Sequence, residues 1–238
     1  MTAIMLEQDT ISDISNQLEQ SHPQEILQWA VDTYGHWLVV VTSCQPTGIV
    51  TLHMMQEIAP DIPVITLDTG VLFPETQALM DRLETRFGIE ITRVRPEQTL
   101  TEQASQFGDA LWESDPNQCC YLRKVRPLRQ TLAGYDAWVT GLRRDQSSRR
   151  GNTPIVSWDE QYQMVKLCPF ATWTESMVWT YLTAHDLPYN ALHDRGYPSI
   201  GCHTCTQAVP AGSDSRAGRW SGHAKTECGI HYYETTGS

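Results

Sequence analysis

Short apolar runs alternate with amphipathic segments along most of the chain. Four of these runs are rich in β-branched residues and predict buried strands: residues 36–42, 62–67, 90–94 and 137–141. The segments between them predict helices. One is expected at about residues 49–58, and another begins near Pro74, because proline suits the first turn of a helix.

The first 30 residues predict helical structure as well. Five of them are expected to be buried: Leu18, Ile26, Leu27, Trp29 and Ala30. Strands that alternate with helices favour an α/β fold, a parallel twisted sheet with helices on both faces. Ligands of such sheets bind beyond the carboxyl ends of the strands, so the loops at residues 43–48, 68–73 and 141–150 are the expected binding loops.

The pattern changes after about residue 190. Residues 198–222 are rich in glycine, serine and proline and show little periodicity, which predicts loops organised by something other than a hydrophobic core. We therefore expect an α/β domain at residues 1–195. A C-terminal loop and tail at residues 196–238 would belong to the same functional unit.

The composition of the chain disfavours several classes of binding partner and cellular location. The 238 residues carry a net charge of −11, which disfavours broad electrostatic binding to nucleic acid or anionic membranes. The apolar runs are shorter than the roughly 20 residues of a membrane span, and the amino-terminal residues lack the pattern of a secretory signal. Seven cysteines, an odd number, favour a reducing compartment, and we expect a cytoplasmic protein.

The basic residues are concentrated in one part of the chain. Eight of the 17 lysines and arginines lie within residues 123–150, which predicts a locally built anion site. An exposed helix face explains Arg126 and Arg129 equally well, since both lie on a helical stretch.

The cysteine arrangement is the strongest chemical signal. Cys119 and Cys120 are adjacent, and Cys202 and Cys205 form a CxxC motif. Neighbouring thiolates do not easily share one tetrahedral zinc, whereas a four-iron, four-sulfur cluster offers a separate iron to each cysteine. A [4Fe–4S] cluster is therefore favoured, and a structural zinc site or unligated buried thiols are the alternatives. Lys124 follows Cys120 by four residues, so its ammonium would lie near the cluster and an anionic substrate.

The carboxyl-terminal region contains a second candidate. Cys228 stands alone in a short polar tail, where nearby arginines would favour the nucleophilic thiolate. An inert thiol is the alternative. Arg216 and Arg219, three residues apart, suit forked hydrogen bonds to phosphate or sulfate, but two solvated arginines fit the spacing equally well. Cys44 and Cys168 are expected to be packing residues.

Five motifs, in this order, closely resemble the assimilatory sulfonucleotide reductases, which reduce adenylyl sulfate or its 3′-phosphorylated form to sulfite. The motifs are TLDTGVLFPET, WVTGLRRDQSSRR, GYPSIGCHTCT, RAGRW and ECGIH. The resemblance covers about residues 39–231 and implies an adenine-nucleotide α-hydrolase-like fold. The paired cysteines with CxxC look like the iron–sulfur branch of the family, whose members mostly use adenylyl sulfate.

The resemblance also implies roles for individual residues. Cys228 would attack the substrate sulfur, expelling AMP and leaving a thiosulfonate, and reduced thioredoxin or a glutaredoxin-like reductant would release sulfite. The residues matching anion-binding positions are Lys124, Arg143, Arg150, Arg216 and Arg219. His231, three residues after the nucleophile, would orient the anion or the tail, and an exposed terminal histidine is the equal alternative. Those matching the adenosine side are Thr42, Ser43, Leu67 and Gly70. Cys119, Cys120, Cys202 and Cys205 would hold the cluster, with a structural and electrostatic role. A homo-oligomer is implied as well.

One loop departs from the pattern of related nucleotide-binding enzymes. Residues 43–48 read SCQPTG and lack a glycine- and serine-rich phosphate cradle, which weakens a second class, the ATP pyrophosphatases that adenylate a carbonyl. Two further alternatives remain, a 3′-phosphoadenylyl-sulfate reductase with the same mechanism and a non-catalytic iron–sulfur sensor that binds a nucleotide.

Overall fold

The computed structural model describes residues 8–231 and contains one six-stranded sheet in that range. Its strands are β1 (Leu38–Val41), β2 (Val64–Leu67), β3 (Ile91–Val94), β4 (Ala137–Val139), β5 (Val156–Asp159) and β6 (Met164–Leu167). The strand order is β3-β2-β1-β4-β6-β5. β1 pairs in parallel with β2 and β4, and β4 pairs in parallel with β6, whereas β5 runs antiparallel to β6.

Nine α-helices occur between residues 8 and 231. They are α1 (Gln8–Gln17), α2 (Pro23–Tyr34), α3 (Pro46–Ile58), α4 (Pro74–Phe87), α5 (Leu100–Phe107), α6 (Leu111–Ser114), α7 (Pro116–Cys120), α8 (Arg126–Leu132) and α9 (Glu175–Ala184). From residue 190 to residue 231 the backbone forms loops and short 3-10 turns only, as the glycine- and proline-rich sequence predicts.

The helix starts follow capping chemistry. α2 begins with Pro23, and His22 and Glu25 form a capping box. The His22 side chain accepts a hydrogen bond from a backbone amide of the first turn, and the Glu25 carboxylate accepts one from the backbone amide of His22. Thr99 and Glu102 form the same arrangement at the start of α5. α4 begins at Pro74, as predicted from the suitability of proline for a first helical turn. The predicted start of α3 near residue 49 is wrong, because the helix already begins at Pro46.

The four predicted strands and the α/β class are confirmed, but the sheet is not wholly parallel and has two additional strands. β5 and β6 each contain a charged residue, Asp159 and Lys166, so their sequences lack the apolar character of a buried strand. The structure buries both side chains as an ion pair, with 3.6 Å between Lys166 Nζ and Asp159 Oδ2. The Lys166 ammonium also lies 5.3 Å from the centroid of the Trp138 ring.

Three of the five predicted buried positions near the amino terminus are confirmed. Ile26, Leu27 and Ala30 are fully buried on one side of α2. Leu18 and Trp29 are half-buried, so the prediction for them is wrong. Leu18 follows the end of α1, and Trp29 lies off the apolar stripe of α2.

The chain divides into two compact units. The first consists of the described parts of Met1–Thr66, Leu79–Thr92 and Leu132–Tyr189, and the second of the described parts of Leu67–Ala78, Arg93–Thr131 and Asn190–Ser238. The predicted separation of residues 1–195 from residues 196–238 stays a prediction. Within residues 8–231, no helix is both long and apolar enough to cross a membrane.

The first unit has a dense apolar core. β1 is buried along its whole length, and the largest fully buried side chain is Trp138 of β4. α2 packs against α3, and α3 packs against α9. Cys44 and Cys168 are fully buried in this unit, which confirms that both are internal.

Gly48, in the first turn of α3, lies very close to the loop after β1. A Cβ at this position would be 2.3 Å from Thr42 Oγ1, the atom that accepts a hydrogen bond from the Cys44 amide at 3.0 Å. The close approach therefore requires glycine, since any side chain would displace the Thr42 hydroxyl.

We expect Gly48→Ala to lower the stability of the protein by about 1–3 kcal/mol, the usual cost of overpacking. Thermal or denaturant unfolding measures the change. The same substitution in a Thr42→Ala background should cost much less, because the clashing hydroxyl is gone. An equal cost in both backgrounds would show that the contact with Thr42 is not the cause.

Candidate active site

Two cysteines end α7 in the second unit. Cys119 and Cys120 are both buried. The carboxylate of Asp115 starts this helix by accepting hydrogen bonds from the amides of Asn117 and Gln118 at 3.1 and 2.9 Å. The cap fixes a short helix that would otherwise be marginal, and thereby places the adjacent thiols.

The other two cysteines lie on a tight turn in the same unit. Cys202 is buried, and Cys205 ends the 3-10 turn that follows it. The amide of His203 donates to the carbonyl of Val71 at 2.9 Å, and the hydroxyl of Thr69 lies 3.2 Å from Cys202 Sγ. The loop that follows β2 therefore holds the CxxC turn.

Three of these thiols, those of Cys119, Cys120 and Cys205, have raised pKa values. Burial, followed by the neighbouring thiolates of Cys120, Cys202 and Cys205, raises the pKa of Cys119 to about 12. Burial raises the pKa of Cys120 to about 11 and also raises the pKa of Cys205. A bound cation relieves this cost, because a coordinated thiol loses its proton to solvent. The donor set fits a centre that takes four cysteine thiolates.

Among the residues that the structure describes, no group of three or more His, Cys, Asp or Glu side chains is arranged to hold a metal ion. The choice between a cluster and a single ion for these cysteines therefore stays a prediction.

The helix changes its hydrogen-bonding pattern directly after the paired cysteines. Tyr121–Val125 forms a π turn, whereas the sequence predicts a regular helical turn between Cys120 and Lys124. Such turns contain one extra residue and often occur at functional sites. Burial lowers the pKa of Lys124, but the nearby thiolates, Cys202 foremost, outweigh this effect and raise it. Lys124 therefore carries a positive charge among the thiols.

Arg123, next to Lys124, holds the turn after β2. Its guanidinium is buried, and Nε donates to the carbonyl of Thr69 at 2.5 Å while Nη1 donates to Gln103 Oε1 at 3.1 Å. Gly70 adopts φ +73°, and a Cβ there would be 3.0 Å from Arg123 Nη2. Glycine is thus required both by the backbone conformation and by the arginine.

Cys228 is half-buried in the carboxyl-terminal segment of the second unit. Burial raises the pKa of its thiol, whereas Lys124, the amide of Ile230 and the Arg219 guanidinium lower it. The lowering effects prevail, so the pKa of Cys228 lies below its ordinary value. A thiol of this kind supplies more thiolate at neutral pH than an ordinary cysteine.

Arg216 binds the segment just before Cys228. Its Nη2 donates to the carbonyl of Thr226 at 2.7 Å and to Glu227 Oε2 at 3.1 Å. Glu227 is buried, so this ion pair is largely shielded from water. Arg216 therefore anchors the tail.

Arg219 has different partners. Nη1 donates to Ser199 Oγ at 3.1 Å, and the guanidinium carbon lies 4.5 Å from the centroid of the Trp220 ring. Lys225 Nζ lies 5.5 Å from the same centroid. Positive charge is thus concentrated around one aromatic ring near the start of the tail.

The first unit contains the arginine loop, residues 143–150. Both Arg143 and Arg150 are buried. Arg143 donates from Nη1 to Thr47 Oγ1 at 2.6 Å and from Nε to Asp145 Oδ1 at 2.9 Å. Gln146 Oε1 accepts from the Arg143 amide at 3.1 Å and from Arg150 Nη1 at 2.5 Å. The two guanidinium groups are therefore fixed by short contacts within the loop and to α3.

The loop after β1 also lies in the first unit. Thr42 is buried and Ser43 is exposed, and the next residue, Cys44, has φ +53°. A non-glycine residue in the left-handed region is uncommon and indicates a sharply turned loop.

The candidate residues thus form two sets. Those in the first unit are Thr42, Ser43, Arg143 and Arg150. Those in the second unit are Leu67, Gly70, Cys119, Cys120, Lys124, Cys202, Cys205, Arg216, Arg219, Cys228 and His231. Leu67 and His231 are half-buried and Gly70 is exposed. The assignments of these residues to cluster and substrate stay predictions.

The motifs do not single out three residues that organise these sets: Arg123, Thr69 and Thr47. Arg123 precedes Lys124 and Thr69 precedes Gly70, so the position next to a candidate residue is a signal for these two. Thr47 lies next to no candidate residue and has only its place in the loop at residues 43–48 as a signal. Sequence neighbours of a binding residue frequently supply the hydrogen bonds that orient it.

A comparison with models of protein families shows which family this chain belongs to. Residues 37–208 match the model of the phosphoadenosine phosphosulfate reductase domain. The chain belongs to this family. Its matched region contains the arginine loop, the paired cysteines and the CxxC turn.

Curated relatives of this reductase-family chain resemble it over most of its length. A protein named adenosine 5′-phosphosulfate reductase from Salinibacter ruber is 50% identical over 222 residues, which cover 93% of this chain and 88% of that protein. Adenosine 5′-phosphosulfate reductase 1 from Bacillus subtilis is 47% identical over 207 residues, covering 87% of this chain and 89% of that one.

Solved structures support the fold. The phosphoadenylyl-sulfate reductase from Candida auris, crystallised with phosphate, is 31% identical, with a TM-score of 0.77 over 87% of this chain and 100% of that chain. FMN adenylyltransferase from Candida glabrata has a TM-score of 0.60 over 87% of this chain and 68% of its own, but only 14% identity, so it shows the fold alone.

The lowered pKa of Cys228 predicts how the alkylation of this thiol depends on pH. Its rate of alkylation by iodoacetamide, followed by mass spectrometry of the peptide that contains it, should reach half-maximum at a lower pH in the folded protein than in the same protein unfolded in urea. Because Arg219 helps lower this pKa, Arg219→Gln should move the midpoint upward. A midpoint that is no lower in the folded protein than in the unfolded one would contradict the electrostatic description.

Proposed function

We propose that this chain reduces adenylyl sulfate to sulfite and AMP, with Cys228 as the nucleophile and reduced thioredoxin, or a glutaredoxin-like protein, as the reductant. The observation that carries the proposal is the Cys228 thiol, whose pKa is lowered by Lys124 and Arg219. The names of relatives that are 45–50% identical to this chain support adenylyl sulfate as the substrate.

The proposed reaction has two stages. In the first, the Cys228 thiolate attacks the sulfur of adenylyl sulfate, a sulfur–sulfur bond forms, and the bond from sulfur to the phosphate oxygen breaks. AMP leaves with that electron pair, and a thiosulfonate remains on Cys228. In the second, one thiolate of the dithiol reductant attacks Cys228 Sγ and sulfite leaves. The second thiol of the reductant then closes its disulfide and regenerates the Cys228 thiolate, so the dithiol supplies both electrons.

The principal barrier in the first stage is electrostatic. A thiolate must approach a substrate that already carries negative charge on phosphate and sulfate, and positive groups have to offset the repulsion. Lys124 and Arg219 are the groups that act on Cys228. Arg143 and Arg150 are the candidates of the first unit. Thr47 and Asp145 hold the Arg143 guanidinium, and Gln146 holds that of Arg150. Fixed charges of this kind cost little reorganisation during the reaction.

Arg216 takes a supporting role in this proposal. Its contacts with Thr226 and Glu227 hold the backbone that leads to Cys228, so its substitution would release the tail as well as remove a charge. His231 lies three residues beyond the nucleophile and is proposed to orient the tail or the anion.

Cys119, Cys120, Cys202 and Cys205 are the proposed ligands of a [4Fe–4S] cluster. Bound there, the cluster would supply local charge and a crosslink between α7 and the CxxC turn, not electrons, because the thiol chemistry already provides two. The pKa values of Cys119 and Cys120, which burial and then neighbouring thiolates raise, support a cation-containing centre at this position.

The phosphorylated substrate is the second candidate. The matched family model and the Candida auris neighbour are both named for reductases of the 3′-phosphorylated nucleotide. The chemistry at Cys228 would be identical, and only recognition of the ribose would differ. A cytoplasmic location, a thioredoxin as the reductant and assembly into a homo-oligomer are further parts of the proposal.

Sulfite release by anaerobically purified protein should separate these candidates. With reduced thioredoxin and equal concentrations of each sulfonucleotide, we expect kcat/KM to be at least about tenfold higher for adenylyl sulfate, a difference of about 1.4 kcal/mol in transition-state binding. Iron and acid-labile sulfide, measured on the same sample, should approach four of each per chain. Preference for the phosphorylated nucleotide would favour the second candidate.

Cys228→Ser should abolish sulfite release. The serine hydroxyl is a far weaker nucleophile at neutral pH and cannot form the thiosulfonate. Iron content and the affinity for AMP, measured by calorimetry, should stay close to those of the unsubstituted chain. Cys168→Ser, at a buried cysteine outside both sets of candidates, provides a control for the loss of a thiol. Sulfite release by the Cys228→Ser variant would exclude the mechanism and favour the sensor alternative.

A further inference from the structure

The arginine loop of the first unit contains an arginine that is oriented differently from its neighbours. Arg144 lies directly after Arg143, but its guanidinium binds Glu19 through both carboxylate oxygens, with Nη1 to Oε1 at 2.5 Å and Nη2 to Oε2 at 2.9 Å. Two parallel hydrogen bonds of this type fix the orientation of the guanidinium group as well as its distance from the carboxylate.

The remaining donors of Arg144 bind the backbone on either side of the loop. Nε donates to the carbonyl of Thr153 at 2.8 Å, and the amide of Arg144 donates to the carbonyl of Ala171 at 3.0 Å. Arg144 therefore contacts Glu19, the segment after the loop and the segment before α9. Both ends of residues 143–153 are held through this one side chain and its amide.

Glu19 is itself held in place. It follows α1, which packs on β5, and the Ser15 hydroxyl of that helix accepts a hydrogen bond from the Val156 amide at 3.1 Å. Both partners of the ion pair are about one-third exposed, at 30% for Arg144 and 34% for Glu19. The hydrogen bond with Arg144 lowers the pKa of Glu19, and the same bond raises the pKa of Arg144.

We propose that Glu19 is a positioning residue for the arginine loop, because it binds Arg144 and thereby fixes the backbone from which Arg143 and Arg150 extend. The backbone amide of Arg143 and Nη1 of Arg150 share the acceptor Gln146 Oε1. A movement of the loop backbone therefore displaces both the point from which Arg143 extends and the contact that holds the Arg150 guanidinium. A carboxylate 125 residues away in sequence thus helps to set the position of both arginines.

The kinetic test of this inference rests on the proposed function. A second test, amide hydrogen exchange, does not depend on activity. The variant is Glu19→Gln, which keeps the shape but loses the charge and one acceptor. Glu97→Gln is the matched control, since Glu97 forms an Arg–Glu pair with Arg126 that includes no residue of the arginine loop. Arg144→Lys serves as a second variant, because lysine keeps the charge but cannot make the forked contact.

With adenylyl sulfate and reduced thioredoxin, Glu19→Gln should raise KM about fivefold and leave kcat within about twofold, the pattern expected when a ground-state binding contact is misplaced. Amide hydrogen exchange at residues 144–153 should become about tenfold faster, because the loop opens more often. Glu97→Gln should change neither quantity. The double variant Glu19→Gln/Arg144→Lys should be no worse than the poorer single variant, since both substitutions break one contact.

Two results would overturn the inference. The first is a Glu19→Gln protein with a lower melting temperature but unchanged KM and unchanged exchange at residues 144–153, which is the result expected of a merely stabilising ion pair. The second is full additivity of the two substitutions. If the unsubstituted protein releases no sulfite from either sulfonucleotide, the proposed function fails, and hydrogen exchange alone still decides whether Glu19 positions the loop.

Discussion

A long irregular backbone has to be kept in place in the second unit. From residue 190 onward the described chain forms only loops and short turns, so regular ladders of hydrogen bonds are not available to fix it. Individual polar contacts replace them, including the bonds of Arg216 to Thr226 and Glu227 and that of His203 to Val71. Each such contact contributes about 0.5–3 kcal/mol net, with the bonds to charged groups at the upper end, so a metal centre that joins distant segments would add more than any of them.

The same residue type performs several tasks in this protein. Arg123 supports a turn, Arg144 braces a loop and Arg216 anchors a tail, while Arg219 lies against an aromatic ring and lowers the pKa of a thiol. The charge is identical in every case. What differs is whether acceptors within the protein already bind the N–H donors of the guanidinium group. That depends on contacts between residues far apart in sequence.

Much of the architecture follows from the sequence. β-branched runs predict β1 to β4, and proline marks the beginning of α4, whereas α3 begins at Pro46, three residues before the predicted start. The edge hairpin of β5 and β6 does not follow, because Asp159 and Lys166 compensate each other only once the strands are paired. In the same way, the motifs indicate Cys228 and the four other cysteines, but not Arg123, whose partners Thr69 and Gln103 lie 54 and 20 residues away.

The π turn at Tyr121–Val125 takes up one residue more than a regular α-helical turn would. A homologue that lacks one residue here would restore regular helix geometry, and the helix that follows would keep its orientation relative to Cys119 and Cys120, because the π turn absorbs the extra residue locally. A one-residue gap that an alignment places in this segment is therefore compatible with the same arrangement of the paired cysteines and α8. Such a gap changes only the local backbone beside Lys124.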